Sequence, residues 1–580
     1  MPGTQGVVRR IKPANLTYDV DESPPPWLCL TVAVQHVIII AVGMTFPVLL
    51  GRAIGLSHGQ TESLVRVSML AAGIGTLLQS IRRGPLGSGF LCPEGPDPSF
   101  LPACLLAGAR GGLPLVFGMT ALAGAFEGIM APVMYRLRSV FPVEVTGVVV
   151  AMVGIAVVPS ALANLLGVPA GGAGSGGSPL QVGHLLVGLA ALCAMVGTNV
   201  WSRGSLRRYS ILIGIGVGFA CAGAAGLLGA DQLREVARAP FAALPVMPGL
   251  SWSFSLDLVL PFAIAITCSM LKNIGDITTC QRINDAGWKR TDMVTVRGGI
   301  LADGVSTFLG GVMGGYGPAS YSANVGLSVA TGVTSKRVAL YVGGICVLLS
   351  CCPKLAAAFA IMPAPVMGAQ LLFCVSFMIV AGLQIIMSRM MDVRRTFVVG
   401  LSFAVGLGAG FLPGAFRDLP GWLQPVFTSI LTAATVSAIL LNLLLRLGVS
   451  RSARLDMPLG PEAATALWAF LEEQGKAWGA RAEVVHRAAG AVSELMEQSM
   501  LAGAGQATVS ARFDELNLDI DYEYDGPEVT LPDAPPQALH SLEAEPDFAA
   551  IAGYLVRRQA DSVRCDMHDG RRRVRLHWDH

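Results

Sequence analysis

Four polar side chains interrupt apolar stretches that are long enough to be membrane helices. Gln35 and His36 lie inside TVAVQHVIIIAV, and Lys272 and Asp276 are four residues apart in MLKNIGD. Polar groups at this depth are costly unless partnered, so they indicate a substrate or ion pathway or a contact between helices. His36 could line a site or be satisfied by a neighbouring helix. Lys272 could contact an anionic or carbonyl-rich substrate, or pair with Asp276 one helical turn away.

Two short segments rich in glycine and proline lie among the apolar spans. They are 93–106 (PEGPDPSFLPACLL) and 314–333 (GGYGPASYSANVGLSVATGV). Neither can cross a bilayer as a plain helix, and broken segments at corresponding places in two halves of a transporter indicate a binding site near the midplane. In the second segment Asn324 and Thr331 flank Gly326, where glycine allows close backbone approach. These two polar side chains could line a site or only satisfy freed backbone groups.

Composition indicates a membrane protein. Of the 580 residues, 53% are hydrophobic and 14% are charged, whereas a soluble domain averages about 25% charge. The net charge of +2 gives no indication of a nucleic-acid partner. The twelve cysteines show no metal-ligand spacing, and no nucleophile lies beside a base. We therefore expect neither a metal centre nor an enzyme.

Apolar runs of about 20 residues, the length that crosses the hydrocarbon core, predict a polytopic, all-α membrane protein. They lie at 27–50, 62–81, 113–134, 143–165, 180–200, 209–229, 255–280, 294–313, 335–352, 363–387, 396–412 and 423–446. With the broken segments as spans three and ten, they make fourteen. Two halves of seven spans must have opposite orientations, which predicts an inverted repeat. With both termini cytoplasmic, sixteen Lys and Arg lie in inner loops and seven in outer loops, which favours this topology in the plasma membrane.

Several ordered motifs resemble the nucleobase/ascorbate transporter family, also called nucleobase:cation symporter family two. The similarity covers about residues 11–446 and includes the Gln35-His36 pair, SGFLCPEG, FPVEVTGVVVAMVGI, IGDITT, GGILADGVSTFLGGVMGG and PAPVMGAQLL. The span-ten motif of the family is a polar residue followed by Asn-x-Gly-x-x-x-x-Thr. It falls on Ala323, Asn324, Gly326 and Thr331.

The resemblance implies a core domain (spans 1–4 and 8–11) that moves against a gate domain (spans 5–7 and 12–14), usually in a homodimer. It implies secondary transport of a nucleobase, such as xanthine, urate or uracil, with protons or sodium and no other cofactor. The substrate would lie between short strands of spans three and ten. Ser99 and Phe100 lie where the family places its substrate-facing backbone and aromatic ring. We expect His36, Lys272 and Asn324 in one pocket.

Two positions depart from the family pattern. The glutamate expected four residues before Asp276 is Lys272, and the Glu or Gln expected before Asn324 is Ala323. A carboxylate accepts hydrogen bonds from a base and can exchange a proton, whereas an ammonium only donates. Nucleobase recognition in the usual geometry is therefore weakened, and the coupling ion is left open. The alternatives are transport of an anionic oxo-heterocycle and a transporter-derived sensor.

The chain changes character after residue 446. We assign residues 1–26 to a cytoplasmic segment, 27–446 to the transporter domain and 456–580, where charged residues are frequent, to one small cytoplasmic domain. Helix-period and strand-period patterns predict an α+β sandwich for this tail. It resembles the ATP-binding domain of histidine kinases and anti-sigma-factor kinases. Glu494 lies where that family has a Glu, and Gln498 lies where it has a Mg-binding Asn. The glycine-rich lid is missing, so a degenerate regulatory domain is the alternative to residual nucleotide binding.

Overall fold

The computed structural model describes two compact units, Met1–Asn442 and Leu443–His580. The described residues are 10–579 except 15, 83, 134–141, 169–180, 203–208, 289–290, 388–390, 417–423, 428, 446–450, 461, 515–516, 528, 533–547 and 569–570. Many basic residues of the predicted inner loops, and the ends of predicted spans four, six and fourteen, lie outside the described residues. We call the first part the membrane unit and the second the C-terminal unit.

The membrane unit consists almost entirely of helices. They are α1 (Pro26–Gly43), α2 (Thr45–Ala53), α3 (His58–Ser80), α4 (Leu101–Met130), α5 (Val143–Leu166), α6 (Val182–Trp201), α7 (Ser210–Ala224), α8 (Ala230–Arg238), α9 (Val259–Ile283), α10 (Met293–Met313), α11 (Ser322–Thr331), α12 (Lys336–Ser350), α13 (Pro353–Ala360), α14 (Ala364–Ile386), α15 (Val393–Phe411) and α16 (Ile430–Leu445). Two three-residue strands, β1 (Glu94–Pro96) and β2 (Pro318–Ser320), interrupt this pattern.

Seven helical stretches in the described part are long and apolar enough to cross a membrane, and an eighth results if α12 and α13, bent by 80°, form one span. The seven are Pro26–Ala53, His58–Ser80, Pro98–Met130, Glu144–Leu166, Val182–Trp201, Leu256–Ile283 and Ala364–Ile386. The shorter apolar helices α7 and α16 do not reach that length. The structure is therefore that of a multi-pass helical protein, as expected, and the total of fourteen spans stays a prediction.

The second half of predicted span three and most of predicted span four form one interrupted helix, α4. Gly112 lies inside α4 with a φ of 66° and a non-helical backbone, a conformation that glycine adopts without steric cost. Pro114 follows and has no backbone N–H to donate to the preceding turn. The break lies between the two predicted spans.

The two strands pair with each other although more than 200 residues separate them. They are antiparallel, with Glu94 opposite Ser320, Gly95 opposite Ala319 and Pro96 opposite Pro318. All six residues are buried. A short 3-10 turn and α4 follow β1, and α11 follows β2. The N-terminal ends of these segments therefore lie near one small sheet, where their free N–H groups make the surroundings positive.

Glycine residues allow α4 and α10 to pack closely beside this sheet. A Cβ atom at Gly124 would clash with the backbone of Gly304 and Phe308, and one at Gly311 would clash with the backbone of Ala121. Glu127 lies on the same face of α4, since a Cβ at Gly304 would be 3.2 Å from the Glu127 Cβ. This close packing encloses the polar residues of both helices.

The C-terminal unit is a two-layer α+β domain. Its strands β3 (Arg451–Pro458), β4 (Gln506–Phe513), β5 (Asn517–Tyr524), β6 (Ser562–His568) and β7 (Arg571–Asp579) form an antiparallel sheet in the order β3-β4-β5-β7-β6. Its helices are α17 (Ala463–Trp478), α18 (Ala482–Leu501) and α19 (Phe548–Gln559). The predicted start at 456 falls inside β3, a strand that the sequence reading missed. Tyr522, Leu576 and Trp578 are fully buried in its core.

Charged residues of opposite sign lie side by side on the outer surface of this sheet. Asp519 is opposite His577 and Asp521 is opposite Arg575 in the register. His577 Nδ1 lies 2.6 Å from Asp519, and Arg575 Nε forms an ion pair of 3.0 Å with Asp521. Arg573 pairs with Asp566 of β6 at 2.8 Å. We call this set the charged ladder.

Candidate functional site

A histidine and an asparagine meet beside the strand pair. His36 of α1 and Asn324 of α11 are both fully buried, and 3.0 Å separates His36 Nδ1 from Asn324 Oδ1. Because an amide oxygen only accepts, Nδ1 carries the proton and donates it. His36 Nε2 and Asn324 Nδ2 have no hydrogen-bond partner in the described part of the chain. The pair therefore presents one unused acceptor, when the ring is neutral, and one unused donor.

The ammonium group of Lys272 forms an ion pair with Asp97, which follows β1. The distance from Lys272 Nζ to Asp97 Oδ1 is 2.9 Å, and the side chains are 14% and 0% exposed. The predicted pair between Lys272 and Asp276 is not a direct ion pair in the described structure, although the two opposite charges still attract each other. Asp276 instead accepts a hydrogen bond of 2.7 Å from the Ser320 hydroxyl at the end of β2. Position 97 is more than one hundred residues from 272, and helical spacing alone carries no information about such a partner.

Tyr321 connects the two polar pairs. Lys272 Nζ lies 5.9 Å from the centre of its ring, within the range of a cation–π interaction. The Tyr321 hydroxyl donates to the Pro96 carbonyl at 3.3 Å, and the Tyr321 carbonyl accepts from the Asn324 N–H at 2.9 Å. Residues of α1, α9, α11 and β1 are thus brought to one place.

Ser99 and Phe100 shape the turn that holds Asp97. The Ser99 N–H and hydroxyl both donate to Asp97 Oδ1 at 3.1 Å, while Asp97 Oδ2 is buried with no partner among the described residues. Phe100 is fully buried. Its ring packs edge-on against Tyr316 and tilted against Phe262, both with centroids 6.5 Å apart. Ser99 therefore orients the carboxylate, and Phe100 packs against the aromatic wall beside it.

Four other predicted residues have different surroundings. Gln35 is half-buried on α1 and Ala323 is exposed on α11. Gly326 faces open space among the described residues, because a Cβ there would meet nothing within 4 Å. The Thr331 hydroxyl donates to the Leu327 and Ser328 carbonyls of its own helix, which satisfies that hydroxyl locally.

Sequence reasoning missed three buried carboxyl groups of the same region. Glu94 of β1, Glu127 of α4 and Asp303 of α10 are 0% exposed. The Ser306 hydroxyl donates to Glu94 Oε2 at 2.5 Å, whereas no described residue donates a hydrogen bond to the Glu127 or Asp303 oxygens. A signal was present, since ionisable residues in apolar stretches are functional candidates. No group of three or more potential ligands in the described part is arranged to hold a metal ion.

The nucleotide-site candidates of the C-terminal unit lie on α18. Gln498 is buried and Glu494 is half-buried. Burial raises the pKa of Glu494, and the neighbouring Glu497 carboxylate adds to this effect. Asp525, at the end of β5, forms an ion pair of 3.0 Å with Arg571. This ion pair connects the end of β5 to the start of β7.

Three relatives were found that match most of the membrane unit. A "putative purine permease" of Clostridium perfringens is 29% identical and covers 74% of this chain and 93% of the relative. A "xanthine permease" of Escherichia coli is 29% identical, covering 74% and 94%. A "uric acid permease" of Bacillus subtilis is 27% identical, covering 71% and 91%.

A solved structure shows a similar fold. Murine solute carrier 26 family member A9, an anion transporter in the inward-facing state, is 12% identical with a TM-score of 0.53, covering 76% of this chain and 71% of that chain. At this identity the similarity concerns the fold alone. Residues 29–415 match the group described as "Permease family", whose named relatives are transporters and not enzymes. The chain therefore belongs to this permease family.

Proposed function

We propose that the chain transports a nucleobase of the oxopurine or uracil type across a membrane by movement of a core domain against a gate domain. The named activities of the relatives, on purines, xanthine and uric acid, support this class of substrate. An oxopurine presents N–H donors and carbonyl acceptors along one edge, so it requires a site with both kinds of group.

The observation that carries this proposal is a set of buried polar atoms around the strand pair that have no hydrogen-bond partner among the described residues. These are the acceptors His36 Nε2 and Asp97 Oδ2 and the donor Asn324 Nδ2. Leaving a buried polar atom without a partner costs about 1 to 3 kcal/mol. A base that bonded to these atoms would recover that free energy, while a purely apolar ligand would not.

The architecture that we propose contains fourteen spans in a 7+7 inverted repeat, with spans 1–4 and 8–11 as the core and spans 5–7 and 12–14 as the gate. The position of β1 before α4 and of β2 before α11 supports two related halves. We further propose a homodimer in the plasma membrane, with both termini and the degenerate ATPase-like C-terminal unit in the cytoplasm. Glu494 and Gln498 would be the remnant of its nucleotide site.

Uptake into proteoliposomes that contain the full chain tests the function. We expect saturable uptake of labelled xanthine, urate, hypoxanthine or uracil. Asn324→Ala should lower it about tenfold or more, because each hydrogen bond lost at a buried site is worth roughly 1 kcal/mol or more. Gly344→Ala is the matched control, since a Cβ at this half-buried helical position meets nothing within 4 Å.

A transporter-derived sensor is the second candidate, and the compact C-terminal unit is the observation that favours it. A sensor would bind a base in a thermal-shift assay without moving it across the vesicle membrane. Saturable binding with no flux for every base tested would replace the transport proposal with the sensor.

A further inference from the structure

Lys272 is the charged group of the site that is least enclosed. The carboxyl groups around it belong to Glu94, Asp97, Asp276, Glu127 and Asp303, which are at most 6% exposed, whereas the Lys272 side chain is 14% exposed. Exposing an ammonium group to lipid is costly, so the exposed part of Lys272 requires polar surroundings. An ion or substrate that reached the site past Lys272 would meet a positive charge first.

The interactions of Lys272 favour the charged state. Its ammonium lies 2.9 Å from Asp97 Oδ1 and faces the ring of Tyr321. Asp97 is fixed in turn by the N–H and hydroxyl of Ser99. An ammonium has three hydrogens to donate, and one of them is used on Asp97. The carboxylate therefore already has a cation, and that cation is covalently part of the protein.

A soluble cation would have to compete with this arrangement. In the low dielectric of the protein interior, like charges at short range repel strongly. A sodium ion or a hydronium ion that approached Asp97 would meet the Lys272 ammonium. The same charge attracts an oxyanion or the carbonyl edge of an oxo-heterocycle.

We propose that Lys272 is a built-in counter-ion which replaces a soluble coupling cation, so that this protein carries its base down the gradient of the base, without protons or sodium. This inference rests on the proposed function and concerns its energetics. The site stays close to electrically balanced at Asp97 whether or not a cation gradient is present. Ion coupling would then be absent because the Lys272 ammonium already neutralises the Asp97 carboxylate, so no soluble cation is needed there.

The remaining carboxyl groups are the competing candidates for a coupling ion. Glu94 accepts from Ser306, and Asp276 accepts from Ser320. Glu127 and Asp303 face each other between α4 and α10, where glycine contacts bring the two backbones together. Both side chains are 0% exposed. A coupling ion must exchange with water on each side of the membrane in turn, and Lys272 is the least buried of these charged groups.

Uptake with imposed gradients provides the first test. Proteoliposomes with the full chain are given an inward sodium or proton gradient, with the membrane potential clamped at zero by valinomycin and equal potassium. We expect the internal concentration of a neutral labelled base to level off at the external value in every case. Accumulation above that value would overturn the inference, and its loss in Asp303→Asn would assign the coupling to the α4–α10 pair. Saturable uptake supports the proposed transport function whether or not the base accumulates above the external concentration.

Thermal unfolding provides a second test that needs no substrate. At constant ionic strength, exchanging choline for sodium should leave the melting temperature of the natural chain unchanged. Lys272→Met should acquire a rise in melting temperature with sodium or with falling pH, since Asp97 would then take up a soluble cation. Lys272→Met/Asp97→Asn should lose that rise. Sodium stabilisation of the natural chain that Asp97→Asn abolishes would overturn the inference, even if no base is transported.

Discussion

The membrane unit and the C-terminal unit place their charged side chains in opposite surroundings. The Lys272–Asp97 pair is nearly enclosed, with side chains 14% and 0% exposed, whereas those of the Arg575–Asp521 pair are 42% and 33% exposed. Water solvates an exposed charge that loses its partner, so such pairs contribute about 0 to 1 kcal/mol. A buried charge that loses its partner has no such compensation. Similar distances between charged atoms therefore correspond to different energetic roles.

The largest expected effect follows from removing the cation of the enclosed pair. Lys272→Met leaves the Asp97 carboxylate buried with only the donors of Ser99, and breaking a buried pair in this way costs about 3 to 5 kcal/mol. We expect a clear fall in melting temperature in detergent at neutral pH in the absence of sodium.

The double variant Lys272→Met/Asp97→Asn is the matched control for this prediction. It removes both charges, and we expect it to recover most of the lost stability. If Lys272→Met and the natural chain melt together, the pair does not stabilise the fold and the contrast between the two units fails. Lys272→Met/Asp276→Asn should not recover stability, because Asp276 bonds to Ser320 and forms no ion pair with Lys272 in the described structure.

A second enclosed pair joins the first turns of α5 and α15. Glu144 and Arg395 are 4% and 5% exposed, with 2.5 Å between Arg395 Nε and Glu144 Oε1. Glu144→Gln keeps the size and shape of the side chain but removes its charge. We expect a smaller loss than at Lys272, about 1 to 3 kcal/mol, measured as the midpoint of unfolding. Glu22→Gln, at the exposed Lys12–Glu22 pair (35% and 41% exposed), is the control and should have little effect.

Local patterns in the sequence predicted the helical spans and the two broken segments, because apolar runs and glycine-proline interruptions are short-range signals. They did not predict the partner of Lys272. The rule for residues four apart pointed to Asp276, whereas Asp97 is brought in by the pairing of β1 with β2. Contacts between distant segments depend on tertiary packing, which no spacing along one helix encodes.

The missed strand had a readable signal. In β3 the residues Ala453, Leu455 and Met457 alternate with polar ones, the pattern of a half-buried strand, yet the predicted domain begins inside this stretch. Gly326 of the family motif faces open space among the described residues. Glycines that permit close packing lie on α4 and α10, where the sequence alone does not show which helices are neighbours.

The charged ladder of the C-terminal unit should tolerate the loss of one member. Arg575→Met removes the partner of Asp521 on an exposed sheet surface, so we expect a change of at most about 1 kcal/mol. Raising the salt concentration should shrink that change further, because mobile ions screen exposed charges. The measurement is the midpoint of the C-terminal unfolding transition in the full chain at two salt concentrations. A loss as large as that of Lys272→Met would show that exposure does not govern these energies.

The smallest expected effect concerns the exposed pair between Asp21, which precedes α1, and Lys336 at the start of α12. A hydrogen bond from Lys336, 2.7 Å long, is the main cause that lowers the pKa of Asp21 below its usual 3.8. A carboxylate whose pKa is lower in the folded state than in the unfolded state stabilises the fold. This stabilisation is fully present above the unfolded-state pKa and is lost as the pH falls through the folded-state pKa. The contribution should be below about 1 kcal/mol, since the Asp21 and Lys336 side chains are 68% and 47% exposed. Ordinary carboxyl groups titrate between roughly pH 5 and pH 3. Over this range the natural chain should therefore lose slightly more stability than Asp21→Asn. Equal losses in the two proteins would mean that this pair adds nothing to the attachment of the N-terminal segment.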